Sequence, residues 1–220
     1  MDSYGVIFDM DGVLVDSYRA HYQSWRETAE IHGLNISKQD FARLFGRTAR
    51  EFIEQLWPGR FDDAGIARFY ATKEHAYRDV LRVDFPEMDG AGELIESLHR
   101  AGFKLAIGSS GPPENVAMVK GRLPHGELIT EAVDGSQVER GKPDPQVFLL
   151  AARKLRLEPA YCAVIEDSLV GIEAARGAGM VAIALVGTAT CEALSPRAHL
   201  VVDSLRQLTP ELIADAIRNV

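Results

Sequence analysis

Two aspartates near the start of the chain, Asp9 and Asp11, are spaced so that their carboxylates point in the same direction. They end a short apolar run in the segment GVIFDMDGVLVDS, residues 5–17, which predicts a buried strand. Side chains two residues apart in a strand lie on one face, and two carboxylates held together repel each other. Two carboxylates held in this way usually bind a cation, share a proton or take part in catalysis. Mg²⁺ is the natural cation because it prefers carboxylate oxygens and keeps waters for a phosphate partner; a solvated acidic loop is the alternative.

Three later segments place polar side chains at the ends of apolar runs or in a stiff loop. They contain Ser109 and Ser110 after the run FKLAIG, Lys142 in the loop GKPDP, and Glu166 with Asp167 after a further apolar run. Ser109 could bind an anion beside a helix N-terminus, or it could simply cap that helix. Lys142 supplies a positive charge in a proline-stiffened loop, with a solvated lysine as the plainer interpretation. The acidic pair could bind a metal ion or interact with the dipole of a following helix.

Taken in order, these four segments resemble the signature motifs of the haloacid dehalogenase superfamily, and the resemblance extends over nearly the whole chain. It implies that Asp9 is a nucleophile that forms an aspartyl-phosphate, and that Asp11 is the general acid and base. Ser109 and Lys142 are implied to contact the transferring phosphoryl group, with Ser110 beside them as a substrate-binding residue. The implied Mg²⁺ ligands are Asp9, Asp11 through its backbone carbonyl, Glu166 and Asp167.

Strand and helix patterns alternate along most of the chain. Apolar runs predict strands at residues 4–8, 103–107, 161–165, 181–186 and 199–202. Helical patterns follow at residues 92–101, 113–122, 145–155, 169–177 and 210–218. This alternation predicts an α/β fold, in which a parallel, Rossmann-like sheet is covered by helices on both faces. Ligands of such sheets bind beyond the carboxyl ends of the strands, where Asp9, Ser109 and Asp167 fall.

Residues 17–84 break the alternation because they carry helical patterns and no strand signal. The helices are predicted at residues 18–32, 37–45, 48–57 and 64–83. This insert resembles the four-helix cap of the β-phosphoglucomutase-like subgroup. We therefore expect a helical cap domain of residues 17–84 and a catalytic core of residues 1–16 and 85–220. Because the insert begins shortly after Asp11, we expect it to act as a lid; an ordinary helical subdomain is the alternative.

The same resemblance implies substrate-binding residues within the cap. The candidates are His21, Trp25, Gly46, Arg47, Lys73 and Tyr77. His21 and Trp25 are four residues apart and share one helix face, as do Lys73 and Tyr77. Gly46 belongs to a loop of residues 44–48 that matches the specificity loop of the subgroup. A buried core histidine, a packed tryptophan and a solvated lysine are the structural alternatives.

Several positions depart from a β-phosphoglucomutase. Phe45 stands where that enzyme has a lysine, Ala49 stands where it has an arginine, and the segment after Ser109 lacks the expected serine, lysine and asparagine. The missing groups would hold a second, non-transferring phosphate, although Arg47 and Arg50 could substitute. We therefore expect a Mg²⁺-dependent phosphatase of a small phosphorylated metabolite such as a sugar phosphate. A β-phosphoglucomutase-type enzyme and a catalytically silent binding protein are the alternatives.

The composition limits the partners and the location of the protein. Its 220 residues are 46% hydrophobic, enough for a full core, and the net charge of −8 argues against general nucleic-acid binding. No stretch reaches the ~18 apolar residues of a membrane span, and the start lacks a signal-peptide pattern. Cys162 and Cys191 form no CxxC motif and suggest a reducing compartment. We expect a soluble cytoplasmic protein that is a monomer or a weak homodimer.

Overall fold

The computed structural model describes residues 3–220, which divide into two compact units. One unit contains the chain up to Asp16 together with Glu87–Val220, and the other is Ser17–Pro86. At the point of return, Glu87 forms a short antiparallel bridge with Val15. The helical unit is therefore an insertion between the first strand and the rest of the α/β unit.

Four helices form the Ser17–Pro86 unit. They are α1 Tyr18–Ile31, α2 Lys38–Leu44, α3 Ala49–Leu56 and α4 Asp63–Val83. A capping box of Thr48 and Glu51 begins α3, because each side chain accepts a hydrogen bond from the backbone of the other residue. The core of this unit is largely aromatic, and its buried members include Trp25, Phe41, Phe52 and Phe69. The unit thus has an apolar core of its own.

Six parallel strands form the sheet of the other unit. They are β1 Gly5–Phe8, β2 Lys104–Gly108, β3 Glu131–Val133, β4 Cys162–Glu166, β5 Val181–Leu185 and β6 Leu200–Val202. Their order across the sheet is β3-β2-β1-β4-β5-β6, so that β1 lies in the interior. Every residue of β1, β4 and β5 is buried, as expected for a parallel sheet covered on both faces. The predicted α/β fold with an inserted group of four helices is confirmed.

Over residues 3–16 and 87–220 of this unit, the structure has six α-helices. They are α5 Ala91–Arg100, α6 Pro113–Arg122, α7 Gln146–Leu155, α8 Leu169–Gly177, α9 Cys191–Leu194 and α10 Pro210–Arg218. A main apolar core lies between the sheet and helices α7 and α8, and its buried members include Ile7, Phe148, Val164 and Ile172. Among residues 3–220, no helix combines the length and the apolar character that crossing a membrane requires.

The sequence patterns do not predict two short elements of the α/β unit. Strand β3 has three residues and helix α9 has four. Only two of the three residues of β3 are apolar, so no apolar run marks this strand in the sequence, whereas all three residues of β6 are apolar. Strand β3 is recognised from its pairing with β2, in which Ala106, Ile107 and Gly108 are in register with residues 131–133.

Candidate active site

The carboxyl ends of strands β1 and β4 bring Asp9 next to Glu166. In the sheet, Phe8 pairs in register with Ile165, and the backbone N–H of Asp9 donates to the Ile165 carbonyl at 2.9 Å. The strand order runs in opposite directions from β1 and from β4, so a crevice is expected between their carboxyl ends. Acidic residues that follow these two strands therefore lie where a parallel sheet binds its ligands.

Lys142 places a buried ammonium between two of the acidic residues. Its Nζ atom lies 2.5 Å from Asp9 Oδ1, 2.7 Å from Glu166 Oε1 and 3.3 Å from the Gly108 carbonyl oxygen. Only 7% of the side chain is exposed. Burial alone would lower the pKa of Lys142, but the two carboxylates outweigh burial and raise that pKa above its usual value. Lys142 is therefore a fixed positive charge.

Asp9, Glu166 and Asp167 form a buried acidic cluster. One carboxylate oxygen from each of them lies within 4.8 Å of the others. Burial raises the pKa of Asp9, as do the charges of the other two carboxylates, while Lys142 opposes this rise. Burial and the charge of Glu166 raise the pKa of Asp167 to about 7. Three carboxylates beside one ammonium carry excess negative charge, and a cation bound among them would relieve it.

Two glycines make room for this cluster. A Cβ atom on Gly171 would lie 1.8 Å from Glu166 Oε1, and one on Gly12 would lie 2.1 Å from Asp167 Oδ2. Gly12 also has a φ of +83°, a conformation that other residues rarely adopt. The backbone thus approaches the carboxylates at distances that no side chain would allow.

Asp11 and the two serines lie at the same carboxyl edge of the sheet. Asp11 is half-buried, and its charge contributes to the raised pKa of Asp167. Ser109 is buried after β2, where its Oγ accepts a hydrogen bond from the Gly111 N–H at 3.0 Å. Ser110, the next residue, is exposed. The predicted core residues therefore come from the ends of three neighbouring strands and from the Lys142 loop.

Sequence reasoning missed two side chains that hold the acidic pair. The Thr188 hydroxyl donates to Asp167 Oδ2, and the Ala189 N–H donates to the Asp167 carbonyl at 3.3 Å. Ser168 donates to Glu166 Oε2 through its N–H at 2.8 Å and its hydroxyl at 2.9 Å. Thr188 follows β5, and the pairing of β5 with β4, which the sequence does not show, brings it to Asp167.

In the helical unit, three of the predicted residues lie around a fourth, Lys73. Its Nζ atom lies 2.9 Å from His21 Nδ1 and 2.8 Å from Glu74 Oε1, and the residue is 3% exposed. The same ammonium lies 5.2 Å from the centre of the Tyr77 ring and 6.0 Å from that of Trp25. His21 stacks on Tyr77 with ring centres 4.3 Å apart. Glu74, which sequence reasoning did not select, balances the charge of Lys73.

The loop after α2 exposes the remaining predicted residues. Gly46 and Arg47 are exposed, and Gly46 has a φ of +87°. Phe45 packs within the unit instead, with ring centres 5.0 Å from Tyr18 and 5.8 Å from His21. Arg50, a suggested substitute phosphate ligand, pairs with Asp63 at 2.7 Å and with Glu54 at 3.1 Å.

Comparison with known proteins assigns the family. A family model described as haloacid dehalogenase-like hydrolase matches residues 5–179. The chain belongs to the haloacid dehalogenase-like hydrolase family. It is 33% identical to hexitol phosphatase A of Escherichia coli over 93% of each chain. It is also 32% identical to the beta-phosphoglucomutase of Bacillus subtilis, over 94% of this chain and 92% of that one. A solved haloacid dehalogenase hydrolase of family IA, variant 3, from Entamoeba histolytica has a TM-score of 0.89, with 28% identity over 98% of this chain and 100% of that one.

These similarities make the chain a haloacid dehalogenase-type enzyme, but they do not separate hydrolysis from phosphoryl shuttling. The named phosphatase and the named mutase differ by one percentage point in identity to this hydrolase and cover nearly the same share of it. Overall similarity is therefore equal for the two activities. The choice depends on individual residues of this haloacid dehalogenase-like hydrolase.

Proposed function

We propose that this hydrolase is a Mg²⁺-dependent phosphatase of a small phosphorylated metabolite such as a sugar phosphate. The observation that carries the proposal is the contact of Asp9 with Lys142 beside Glu166 and Asp167, at the carboxyl ends of β1 and β4. The charge of Lys142 favours the ionised, nucleophilic form of Asp9 against the effect of burial. The same positive charge suits an anionic phosphate in a chain whose net charge is −8.

In this proposal, Asp9 forms the bond to phosphorus and Asp11 transfers the protons. A carboxylate oxygen of Asp9 forms a bond to phosphorus as the ester P–O bond breaks, and Asp11 gives a proton to the departing oxygen. Water then attacks the aspartyl-phosphate and gives a proton to Asp11, which releases inorganic phosphate and restores both carboxyl groups. Lys142 and the Ser109 hydroxyl stabilise the charge on the phosphoryl oxygens.

The buried acidic cluster fits Mg²⁺ by the chemistry of its donors. Asp9, Asp167 and Glu166 offer carboxylate oxygens within 4.8 Å of one another, and the Asp11 carbonyl is proposed as a further ligand. Both oxygens of Glu166 already accept hydrogen bonds, one from Lys142 and the other from Ser168. Each oxygen has a second lone pair that is compatible with a metal ligand. When bound, Mg²⁺ would neutralise charge on the phosphate and on the carboxylates.

We also propose that the helical unit supplies substrate-binding residues, on the strength of the subgroup resemblance. The proposed residues are His21, Trp25, Gly46, Arg47, Lys73 and Tyr77. The buried Lys73–His21–Glu74 contacts support a preorganised polar group rather than a solvated lysine. Arg47 is exposed, so its guanidinium is accessible to a substrate.

Hydrolysis is preferred over mutase activity because of Phe45 and Ala49. Phe45 contacts Tyr18, Phe41 and His21, which makes it part of an aromatic cluster rather than a phosphate ligand. Each missing charge-assisted hydrogen bond is worth roughly 1.5–3 kcal/mol, so a bisphosphate intermediate would be held weakly. Such an intermediate would leave before it could reorient, while water hydrolysed the aspartyl-phosphate.

Two assays with a shared variant test the proposal. A panel of sugar phosphates is screened for phosphate release with Mg²⁺, and β-glucose 1-phosphate is then supplied with its bisphosphate activator while both products are measured. Phosphate release should exceed formation of glucose 6-phosphate, and Asp9→Asn should abolish both. Efficient isomerisation with little free phosphate would establish the mutase instead. Tight substrate binding without any turnover would indicate a silent binding protein.

A further inference from the structure

A cleft between helices α1 and α2 of the helical unit is lined by side chains that have no role in the proposed activity. Its volume is about 480 Å³, within the range of ~300–1,000 Å³ typical of small-molecule sites. Its lining includes Tyr18, Arg19, Tyr22, Arg26, Lys38 and Phe41. None of the residues around Lys73 lines this cleft, so it is separate from the proposed substrate-binding group.

The cleft is positively charged in an acidic protein. It is lined by Arg19, Arg26 and Lys38 and by no carboxylate, although the chain has a net charge of −8. Within residues 3–220, neither Arg19 nor Lys38 has an ion-pair partner. Arg26 pairs with Glu30 at 3.4 Å, but both side chains are about half exposed, so this pair is weak. The local charge therefore favours an anion.

Aromatic side chains line the same cleft. Phe41 is 1% exposed, and its ring centre lies 5.2 Å from that of Tyr18 and 5.3 Å from that of Tyr22. Tyr18 is 45% exposed, which is unusual for a large aromatic residue in a well-packed cluster. Exposed aromatic rings beside cationic side chains provide stacking surfaces and charge-assisted hydrogen bonds to one ligand.

We propose that this cleft binds an organic phosphate that carries a planar ring, of the nucleoside monophosphate class. Tyr18 and Tyr22 would contact the ring, while Arg19 and Lys38 would contact the phosphate. The cleft is connected to the loop after α2, because Tyr18 and Phe41 lie 5.0 Å and 5.2 Å from Phe45 between ring centres. A ligand that immobilises these two rings would also restrict Phe45, at the start of the exposed loop that contains Arg47.

The test uses adenosine 5′-monophosphate and the intact, ¹⁵N-labelled protein in EDTA, where turnover is suppressed. Amide resonances of residues 18–26 and 38–45 are followed separately from those of residues 9–12, 109–111 and 141–142, so the two sites are distinguished by position. We expect saturable shifts in the first group. The double variant Arg19→Gln/Lys38→Gln should raise the Kd about tenfold, as the loss of two exposed charge contacts would.

The control variant is Arg43→Gln, which removes a cation of the same helix α2 that pairs with Asp40 and does not line the cleft. It should change the Kd by less than about twofold. Inorganic phosphate alone and adenosine alone should each bind more weakly than the nucleotide. The proposal is overturned if the cleft amides do not shift, if the double variant binds as tightly as the unmodified protein, or if adenosine binds as tightly as its monophosphate.

Discussion

The Lys142 Nζ atom lies 2.5 Å from Oδ1 of Asp9, a residue 133 positions earlier in the chain. The ammonium is buried and also contacts Glu166, so it cannot turn away to solvent without leaving two carboxylates together. Lys142 therefore has two effects: its charge opposes the rise that burial causes in the pKa of Asp9, and its ammonium hydrogen-bonds two of the carboxylates that are the proposed metal ligands. These two effects can be separated experimentally.

The variant Lys142→Ala should lose activity but not metal binding. We expect turnover to fall by ~10²–10³, because the variant loses the fixed positive charge that stabilises the phosphoryl oxygens. The affinity for Mg²⁺ should stay the same or increase, since a competing positive charge has been removed. Calorimetric titration of Mg²⁺ and steady-state phosphate release measure the two effects.

Lys154→Ala is the matched control for Lys142→Ala. Lys154 also donates to a backbone carbonyl, that of Ala132 at 2.7 Å, but it does not contact the acidic cluster. The Lys154→Ala variant should retain near-normal turnover. A Lys142→Ala protein that kept most of its turnover, or that lost Mg²⁺ binding together with activity, would contradict the assignment.

Metal removal should abolish turnover, and added Mg²⁺ should restore it, because phosphate and the buried carboxylates otherwise repel each other. Asp167→Ala should weaken Mg²⁺ binding while circular dichroism shows an unchanged fold. Asp134→Asn is the control: Asp134 follows β3 as a buried carboxylate held by Ser136, outside the cluster. Full activity in a chelator would refute the metal assignment of Asp167.

The variant Thr188→Val should lower the affinity for Mg²⁺ by ~10-fold or more, as the loss of a group that orients a metal ligand does. The substitution removes the hydroxyl that donates to Asp167 Oδ2 and keeps the shape of the side chain. Calorimetric titration of Mg²⁺ gives the result without any turnover.

Thr190→Val is the control for Thr188→Val. Thr190 lies two residues later and accepts a hydrogen bond from the Ala193 N–H at the start of α9, away from Asp167. It should leave Mg²⁺ affinity unchanged. If both variants lost the same affinity, the effect would belong to the loop as a whole and not to the Thr188 hydroxyl.

His199 should make the stability of the α/β unit depend on pH. Its Nδ1 accepts the Ala182 N–H at 2.8 Å, which requires that nitrogen to be unprotonated. Partial desolvation of this largely exposed ring and the charge of Arg176 lower the pKa of His199. Since the unfolded chain then binds the proton more tightly, the stabilisation is complete above the unfolded pKa of ~6.5 and is lost as pH falls below it.

The variant His199→Asn isolates that titration, because its Oδ1 can accept the same hydrogen bond without titrating near neutral pH. Urea unfolding at pH 7.5 and pH 5.5 should show a larger loss of stability for the unmodified protein than for His199→Asn. His75→Asn, at an exposed position of α4, should behave like the unmodified protein. Equal pH dependence in all three proteins would disprove the role of His199.

Much of the fold follows from local sequence patterns. The strands β1, β2, β4 and β5 are apolar runs bounded by polar or glycine residues, and the parallel register then places Asp9 and Glu166 side by side. The closeness of Lys142 to Asp9 could be expected only from the family resemblance, since no local pattern links a loop to a strand 133 residues away.

Other features depend on packing that a sequence pattern does not express. Thr188 is an exposed loop threonine whose partner is set by the adjacency of β5 and β4. Glu74 follows Lys73 directly, so helical spacing would place the two side chains on different faces, yet they form a buried pair at 2.8 Å. Phe45 shows the same limit, since its contacts come from two different helices.

The position of β1 in the sheet has a consequence for synthesis on the ribosome. Residues 5–8 emerge before both neighbouring strands, β2 and β4, which lie beyond the helical insertion. The helical unit is continuous in sequence and has its own core, so it can fold while β1 is still unpaired. Asp9 therefore acquires Glu166 and Asp167 as neighbours only when the chain has been made past residue 167. Shorter ribosome-bound chains should carry a folded helical unit without the acidic cluster.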